Sequence, residues 1–282
     1  MAKLSGFFSL IRPVNCLMMG FAVIVGAALA SRSLSNITWQ LFYGFITGFM
    51  LTGASMAIND HYDRDIDAVN EPQRPIPSGA VKPWEALVFA FALTAVGFAA
   101  ALLTSIYCSV IAIITWITSV TYSTVGKRSG LPGNFLVSIC VAIPFIYGSV
   151  AATNAITLNV LVFALMAFLS VTGREVTKGI VDVKGDEARD VKTLAVRFGE
   201  RNAAVASAVF YLLAVSLSPI PWFLSLVSQW FIPLVCVTDV GLVAVSFLLL
   251  KDHSRESARK IKNIVLILLI IGLMGFAAGA VG

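Results

Sequence analysis

The chain has 282 residues, of which 58% are hydrophobic and only 12% are charged. Soluble domains carry about 25% charged residues, so this composition excludes an ordinary soluble globular protein. The four cysteines stand singly within apolar stretches, without the paired spacing of a metal site, and we interpret them as packing residues.

Long stretches without charged residues predict an all-α, polytopic membrane protein. A helix that crosses the hydrocarbon core needs roughly 20 apolar residues, so each short stretch holds one span and each long stretch two. Polar or proline-containing dips near Ser105, Asn154 and Pro219 predict the turns inside the long stretches. We predict a single domain over residues 1–282 with nine helices, near 13–31, 38–58, 84–104, 108–125, 133–151, 157–176, 202–217, 228–250 and 263–281.

The basic residues predict the orientation in the membrane. Lys and Arg accumulate in short cytoplasmic loops, and with nine spans every basic residue except Arg32 falls on one side. We therefore expect a multi-pass protein of the cell membrane with a cytoplasmic N-terminus and an external C-terminus. This topology accounts for the net charge of +5, so we infer no nucleic-acid partner, and no protein partner is inferred either.

Nine of the 15 acidic residues lie in two short segments, after the second and the sixth predicted span. On a helix that turns by about 100° per residue, most of the first segment shares one face. That face comprises Asn59, Asp60, Asp63 and Asp67. Asp65 points to the other side, so the acids of this segment are not evenly spread.

The second segment has a comparable face with a lysine beside its acids. Its members are Glu175, Lys178, Asp182, Asp186 and Asp190. Gly179 and Gly185 weaken a helix here by roughly 1 kcal/mol each, so the side chains of this segment are less firmly fixed to one helical face.

Carboxylates stacked on one face repel one another and call for a neutralising cation. Oxygen ligands of this kind suit Mg²⁺, which usually takes one or two carboxylates together with substrate phosphates. With Arg74, Lys127 and Lys178 nearby, the segments predict a diphosphate bridged by metal and clamped by basic side chains. Two alternatives stay open: solvated loops whose charges end the spans, and the cation pathway of a transporter.

The two acidic segments also match each other at an offset of 123 residues. This offset relates Asn59 to Asp182, Asp63 to Asp186, Asp67 to Asp190 and Arg74 to Arg197. The match fits a duplicated four-helix unit, with a ninth helix added.

These segments resemble the two motifs of the UbiA superfamily of intramembrane prenyltransferases. The first motif, N-D-x-x-D-x-x-x-D followed by R-P, corresponds to residues 59–67 with Arg74-Pro75. The second, D-x-x-x-D before T-L-x-V-x-x-G, corresponds to residues 182–186 with 193–199. The resemblance implies nine helices around a central cavity, two Asp-rich cytoplasmic loops, and Mg²⁺-dependent transfer of an isoprenoid from an allylic diphosphate.

Within the superfamily, residues 173–178 and 181–186, with Tyr122 and Asn134, resemble the archaeal synthases that prenylate a glyceryl phosphate. This branch implies geranylgeranyl diphosphate as donor, geranylgeranylglyceryl phosphate as acceptor, and a side opening to membrane lipid that admits the chain. The second motif of the 4-hydroxybenzoate polyprenyltransferases is absent, although an aromatic acceptor stays the nearest alternative. Gly179 and Asp190 depart from the residues that relatives often carry.

The resemblance assigns roles to individual polar residues. Mg²⁺ and catalysis are expected at Asp63, Asp67, Asp182 and Asp186, with Asn59, Asp60 and Asp190 completing the metal shell. The diphosphate is expected to contact Lys178, Arg74 and Lys127. The acceptor is expected at Arg12, Lys127 and Arg128, with Asn15, Tyr122 and Asn134 as further polar contacts. Asp239, an acid in the middle of a predicted span, has no assigned role.

Overall fold

A computed structural model describes residues 2–31, 37–187 and 191–281. In these ranges nine helices are long and apolar enough to cross a membrane, one for each predicted span. The helices are α1 (Ala2–Leu10), α2 (Pro13–Ala30), α3 (Thr38–Asn70), α4 (Pro83–Thr104), α5 (Ile106–Thr124), α6 (Leu131–Thr153), α7 (Leu158–Glu187), α8 (Leu194–Phe198), α9 (Glu200–Leu217), α10 (Ile220–Phe223), α11 (Phe231–Lys251) and α12 (Arg255–Ala280). The short helix α1 precedes the spans, α8 lies between two of them, and α10 forms the end of the span Glu200–Phe223.

The turns between spans lie where the sequence predicts them. Ser105 ends α4 and caps α5, because its hydroxyl accepts a hydrogen bond from the Cys108 amide at 3.1 Å. Asn154 ends α6 in the left-handed conformation with φ of 55°, which asparagine adopts more readily than most residues. The proline-containing dip near Pro219 ends α9 and leads into α10.

Two helices extend well beyond the predicted spans. α3 has 33 residues and α7 has 30, whereas roughly 20 cross the hydrocarbon core. The expectation of two Asp-rich loops is therefore corrected for the described residues, because the acids lie on the last turns of these helices. Packing of each helix against its neighbours outweighs the small local cost of Gly179 and Gly185. Arg32 and Asp190 lie outside the described residues.

Backbone contact between α2 and α6 holds the centre of the bundle together. A Cβ atom on Gly148 would lie 2.0 Å from the carbonyl oxygen of Val23, and one on Gly26 would lie 2.2 Å from that of Phe145. Small residues permit this close approach in membrane helices, where van der Waals packing drives association. α7, α11 and α12 then pack against this pair through an aromatic core in which the rings of Phe163 and Phe276 are 4.5 Å apart.

An apolar cavity of about 90 Å³ lies inside the bundle, between α2, α6, α7, α9, α11 and α12. Asp239 is one of its few polar lining residues, and its carboxylate accepts a hydrogen bond from the hydroxyl of Ser218 at 2.5 Å. The acid inside the span thus has a partner on the neighbouring helix, as expected for a polar group at membrane depth.

Candidate active site

The end of α3 carries the first acidic segment on a buried face. The side chains of Asp60, Asp63 and Asp67 are 5%, 18% and 7% exposed, whereas that of Asp65 is 86% exposed. This difference confirms the prediction that Asp65 points away from the other three. The buried carboxylates require partners, and basic side chains from distant parts of the chain provide them.

Two arginines neutralise the outer pair of these acids. Arg12, which lies just before α2, donates from Nη2 to Oδ1 of Asp60 at 2.6 Å. Arg74, in the segment after α3, donates from Nη1 to Oδ2 of Asp67 at 2.7 Å and lies 3.5 Å from Oδ1 of Asp60. The start of α2 and the segment after α3 are therefore tied to the same end of the bundle.

The central acid, Asp63, binds a lysine that follows α5. Lys127 donates from Nζ to Oδ2 of Asp63, and Asn59 donates from Nδ2 to the same oxygen at 3.0 Å. The ammonium of Lys127 also lies 5.5 Å from the centre of the Tyr122 ring, within the range of a cation–π contact. Asp63 thus joins α3 to the end of α5.

Burial and charge act against each other in this cluster. Burial raises the pKa of Asp67, with Arg74 opposing the rise and Asp63 adding to it. Burial also lowers the pKa of Lys127, against the attraction of Asp63. For Arg74 burial again opposes the charge, but Asp67, Asp60 and Glu71 together outweigh it and the pKa of the guanidinium rises. Each buried charge therefore depends on its partner, and removing one member leaves another uncompensated.

The end of α7 brings the second acidic segment toward the first. Glu175, 9% exposed, accepts from Nη1 of Arg174 at 3.0 Å and from Nζ of Lys178 at 3.4 Å. Lys178, Asp63 and Asp186 all act electrostatically on the Tyr122 hydroxyl. Tyr122 therefore marks the place where the two acidic segments and their basic partners converge.

Glu175 shows what sequence reasoning missed at this site. Its position on the acidic face of α7 is visible in the sequence, but no role follows from that position alone. The structure makes it the shared carboxylate of two cations, Arg174 and Lys178. The signal available in the sequence was a glutamate one residue after an arginine and three before a lysine.

Three expected acceptor contacts have no side-chain hydrogen bond within residues 2–31, 37–187 and 191–281. Arg128 is exposed, while Asn15 and Asn134 bond through their main chains to the carbonyl oxygens of Arg12 and Gly130. Arg12, expected to bind the acceptor phosphate, is engaged by Asp60 instead. The roles of Arg128, Asn15 and Asn134 stay predictions.

The carboxylates could hold a metal ion only with help from a ligand. In the part of the chain that the structure describes, no group of three acidic, histidine or cysteine side chains is placed to bind one ion. Mg²⁺ commonly takes one or two protein carboxylates and completes its shell with substrate phosphates and water. Asp63 and Asp67 on one helix, with Asp182 and Asp186 on the other, have the oxygen-donor chemistry that this mode requires.

Comparison with known proteins assigns the family. Residues 19–279 match the model of the UbiA prenyltransferase family. The chain belongs to this family. This UbiA chain is 39% identical over 98% of its length to a digeranylgeranylglyceryl phosphate synthase of Archaeoglobus fulgidus, 96% of which is covered. It is 37% identical to a synthase of the same name from Natronomonas pharaonis, over 92% of each chain.

Solved structures share the fold of this UbiA chain. A digeranylgeranylglyceryl phosphate synthase in membranes matches with a TM-score of 0.81 and 31% identity, covering 100% of this chain and 99% of the other. A UbiA homolog from Archaeoglobus fulgidus bound to GPP and Mg²⁺ matches with a TM-score of 0.69 and 16% identity, covering 96% and 99%. The UbiA chain is thus a membrane prenyltransferase, which favours the enzyme over the transporter interpretation.

Proposed function

We propose that this chain transfers the geranylgeranyl group of geranylgeranyl diphosphate to the hydroxyl of geranylgeranylglyceryl phosphate. The main support is the 39% identity, over 98% of this chain, to a digeranylgeranylglyceryl phosphate synthase, together with the buried acids of α3 that pair with Arg12, Arg74 and Lys127. The product would be digeranylgeranylglyceryl phosphate, a membrane lipid precursor. The site would open to the cytoplasm, as the basic residues predict.

The reaction must break the allylic C–O bond of the donor, and the diphosphate leaves with the electron pair. Positive groups aimed at this leaving group lower the barrier, because they stabilise charge that develops in the transition state. Lys178, Arg74 and Lys127 supply those groups from three parts of the chain. Asp63, Asp67, Asp182 and Asp186 would hold Mg²⁺, which supplies further neutralisation of the diphosphate when bound.

The allylic cation must be protected from water until the acceptor hydroxyl attacks it. The apolar walls of the bundle, which line the cavity between α2, α6, α7, α9, α11 and α12, would keep water from such a cation. The ring of Tyr122 already lies near one cation, the ammonium of Lys127, and its face can stabilise the allylic cation in the same way. The new bond joins the acceptor oxygen to the isoprenoid carbon, and the hydroxyl proton is released.

Product analysis tests this function. Purified protein is incubated with Mg²⁺, geranylgeranyl diphosphate and either geranylgeranylglyceryl phosphate or a panel of aromatic acids, and products are identified by mass spectrometry. We expect the doubly prenylated glyceryl phosphate, and its loss when EDTA replaces Mg²⁺. A prenylated aromatic acid as the sole product would contradict the proposed acceptor, and product formation in EDTA would contradict the metal.

Replacing Lys178 tests the donor clamp. Lys178→Ala removes a cation directed toward Tyr122, so we expect the KM for geranylgeranyl diphosphate to rise about tenfold or more, as for loss of a charged hydrogen bond. The measurement is steady-state kinetics at saturating acceptor. Lys184→Ala, at an exposed position of the same helix, should leave this KM unchanged. An unaltered KM in Lys178→Ala would remove Lys178 from the clamp.

A further inference from the structure

α7 carries a second basic residue, Arg174, which lies on the other side of Glu175 from Lys178. Oε1 of Glu175 accepts from Arg174 and Oε2 accepts from Lys178, so the two cations diverge from one carboxylate. The charge of Lys178 acts on Tyr122 of α5, whereas that of Arg174 acts on Tyr211 of α9. The two cations therefore contact different oxygens of Glu175, and both lie within electrostatic range of Lys262.

Arg174 is not the only positive charge on its side. Lys262 of α12 is half-buried and within electrostatic range of Arg174 and Lys178, with Asp182 as the acid that acts on it. No ion pair of Lys262 is found among the described residues, and Nε of Arg174 is buried there without a hydrogen-bond partner. Glu175 is thus bonded directly to Arg174 and Lys178, and Glu175 and Asp182 act on Lys262 only at longer range.

Such a surplus of partly buried positive charge is costly without a counter-ion. Asp182 is exposed, and the sequence motif assigns it to the metal, so it does not offset the surplus when metal is bound. An anionic group bound between Arg174 and Lys262 would offset this positive charge. A phosphate monoester, with oxygens for both donors, is the natural match.

The apolar cavity lies directly beneath these two residues. Ser170 and Val171, which line it, precede Arg174 by one helical turn. Leu269, another lining residue, follows Lys262 by seven positions and so lies on the same face of α12. The other residues that line the cavity are mainly apolar and include Met18 and Phe145. A basic pair above an apolar cavity suits a ligand with an anionic head and a hydrocarbon chain.

We propose that Arg174 and Lys262 bind the phosphate of the isoprenoid acceptor and place the first part of its chain against this cavity. The inference rests on the proposed function, since the phosphate is the only ionised group of that acceptor. It differs from the expectation from sequence, which placed this phosphate at Arg12, Lys127 and Arg128. In this assignment Lys178 and the two acidic segments bind the donor diphosphate.

Separate kinetics for the two substrates test the assignment. Arg174→Gln and Lys262→Gln should each raise the KM for geranylgeranylglyceryl phosphate about tenfold or more and leave the KM for geranylgeranyl diphosphate unchanged. Lys260→Gln is the matched control, since Lys260 lies on the same helix, 71% exposed. It should behave as the unmodified protein. A rise in the donor KM in place of the acceptor KM would overturn the assignment.

A phosphate-free acceptor, geranylgeranylglycerol, separates phosphate binding from a structural role. The KM of the unmodified protein for geranylgeranylglycerol should be as high as the KM of the variants for geranylgeranylglyceryl phosphate. Arg174→Gln and Lys262→Gln should not raise the KM for geranylgeranylglycerol any further. If the variants raised the KM equally for both acceptors, phosphate binding by Arg174 and Lys262 would be overturned. Lys262→Arg should restore most of the acceptor affinity if the charge is what matters. Failure of the unmodified protein to prenylate either glyceryl acceptor would instead overturn the proposed function, and this inference with it.

Discussion

We expect Asp63→Asn to lower kcat with geranylgeranyl diphosphate by about a thousandfold. The substitution keeps the size of the side chain but removes the negative charge on which Lys127 and Asn59 converge. Loss of this charge removes the assigned metal ligand and also the partner that positions Lys127. The fall in kcat should therefore exceed that caused by loss of a single hydrogen bond. Single-turnover product formation, measured across a Mg²⁺ titration, reports the change.

Asp65→Asn is the matched control for this experiment, because Asp65 lies on the same helical turn with its side chain 86% exposed. Its activity should equal that of the unmodified protein. Since breaking a buried charge pair also destabilises a protein, Asp186→Asn on α7 offers a second test at a half-buried position. Full activity in a folded Asp63→Asn or Asp186→Asn protein would disprove the proposed metal site.

The largest expected effect on stability comes from Gly148→Ala. The added methyl group would lie 2.0 Å from the carbonyl oxygen of Val23 and 2.6 Å from the amide nitrogen of Ala27. Both are backbone atoms, so α2 and α6 must separate to admit it. We expect a loss of about 3 kcal/mol in the free energy of unfolding, or a fall of about 6 to 12 °C in Tm.

Thermal unfolding in detergent, followed by tryptophan fluorescence, measures this change. Gly26→Ala, at the facing position of α2, should show a comparable loss. In Gly272→Ala the nearest atom would lie at an ordinary contact distance of 3.4 Å, so its Tm should stay close to that of the unmodified protein. A Gly148→Ala protein as stable as the Gly272→Ala control would contradict the close contact of α2 and α6.

The second acidic segment illustrates the limit of local reasoning. Angular spacing predicts Glu175, Lys178 and Asp182 on one side of α7, and the helix is continuous through the two glycines that follow Lys178 and Lys184. Spacing along one helix does not tell which neighbouring helix each side chain meets. Lys178 acts on Tyr122 of α5, and Lys178 and Arg174 both act on Lys262 of α12, because of how the helices pack. The duplicated unit and the cytoplasmic orientation stay predictions.

Hydropathy and helical periodicity determined the number of spans, their turns and the buried face of α3, because both are properties of neighbouring residues. Tertiary structure alone decided the partners of the acids. Arg12 and Asp60 are 48 positions apart, and Lys127 and Asp63 are 64 apart. These pairs form because helix packing, including the glycine contact between α2 and α6, fixes which helix ends meet. The same packing created the apolar cavity beneath Arg174 and Lys262, which no local pattern in the sequence specifies.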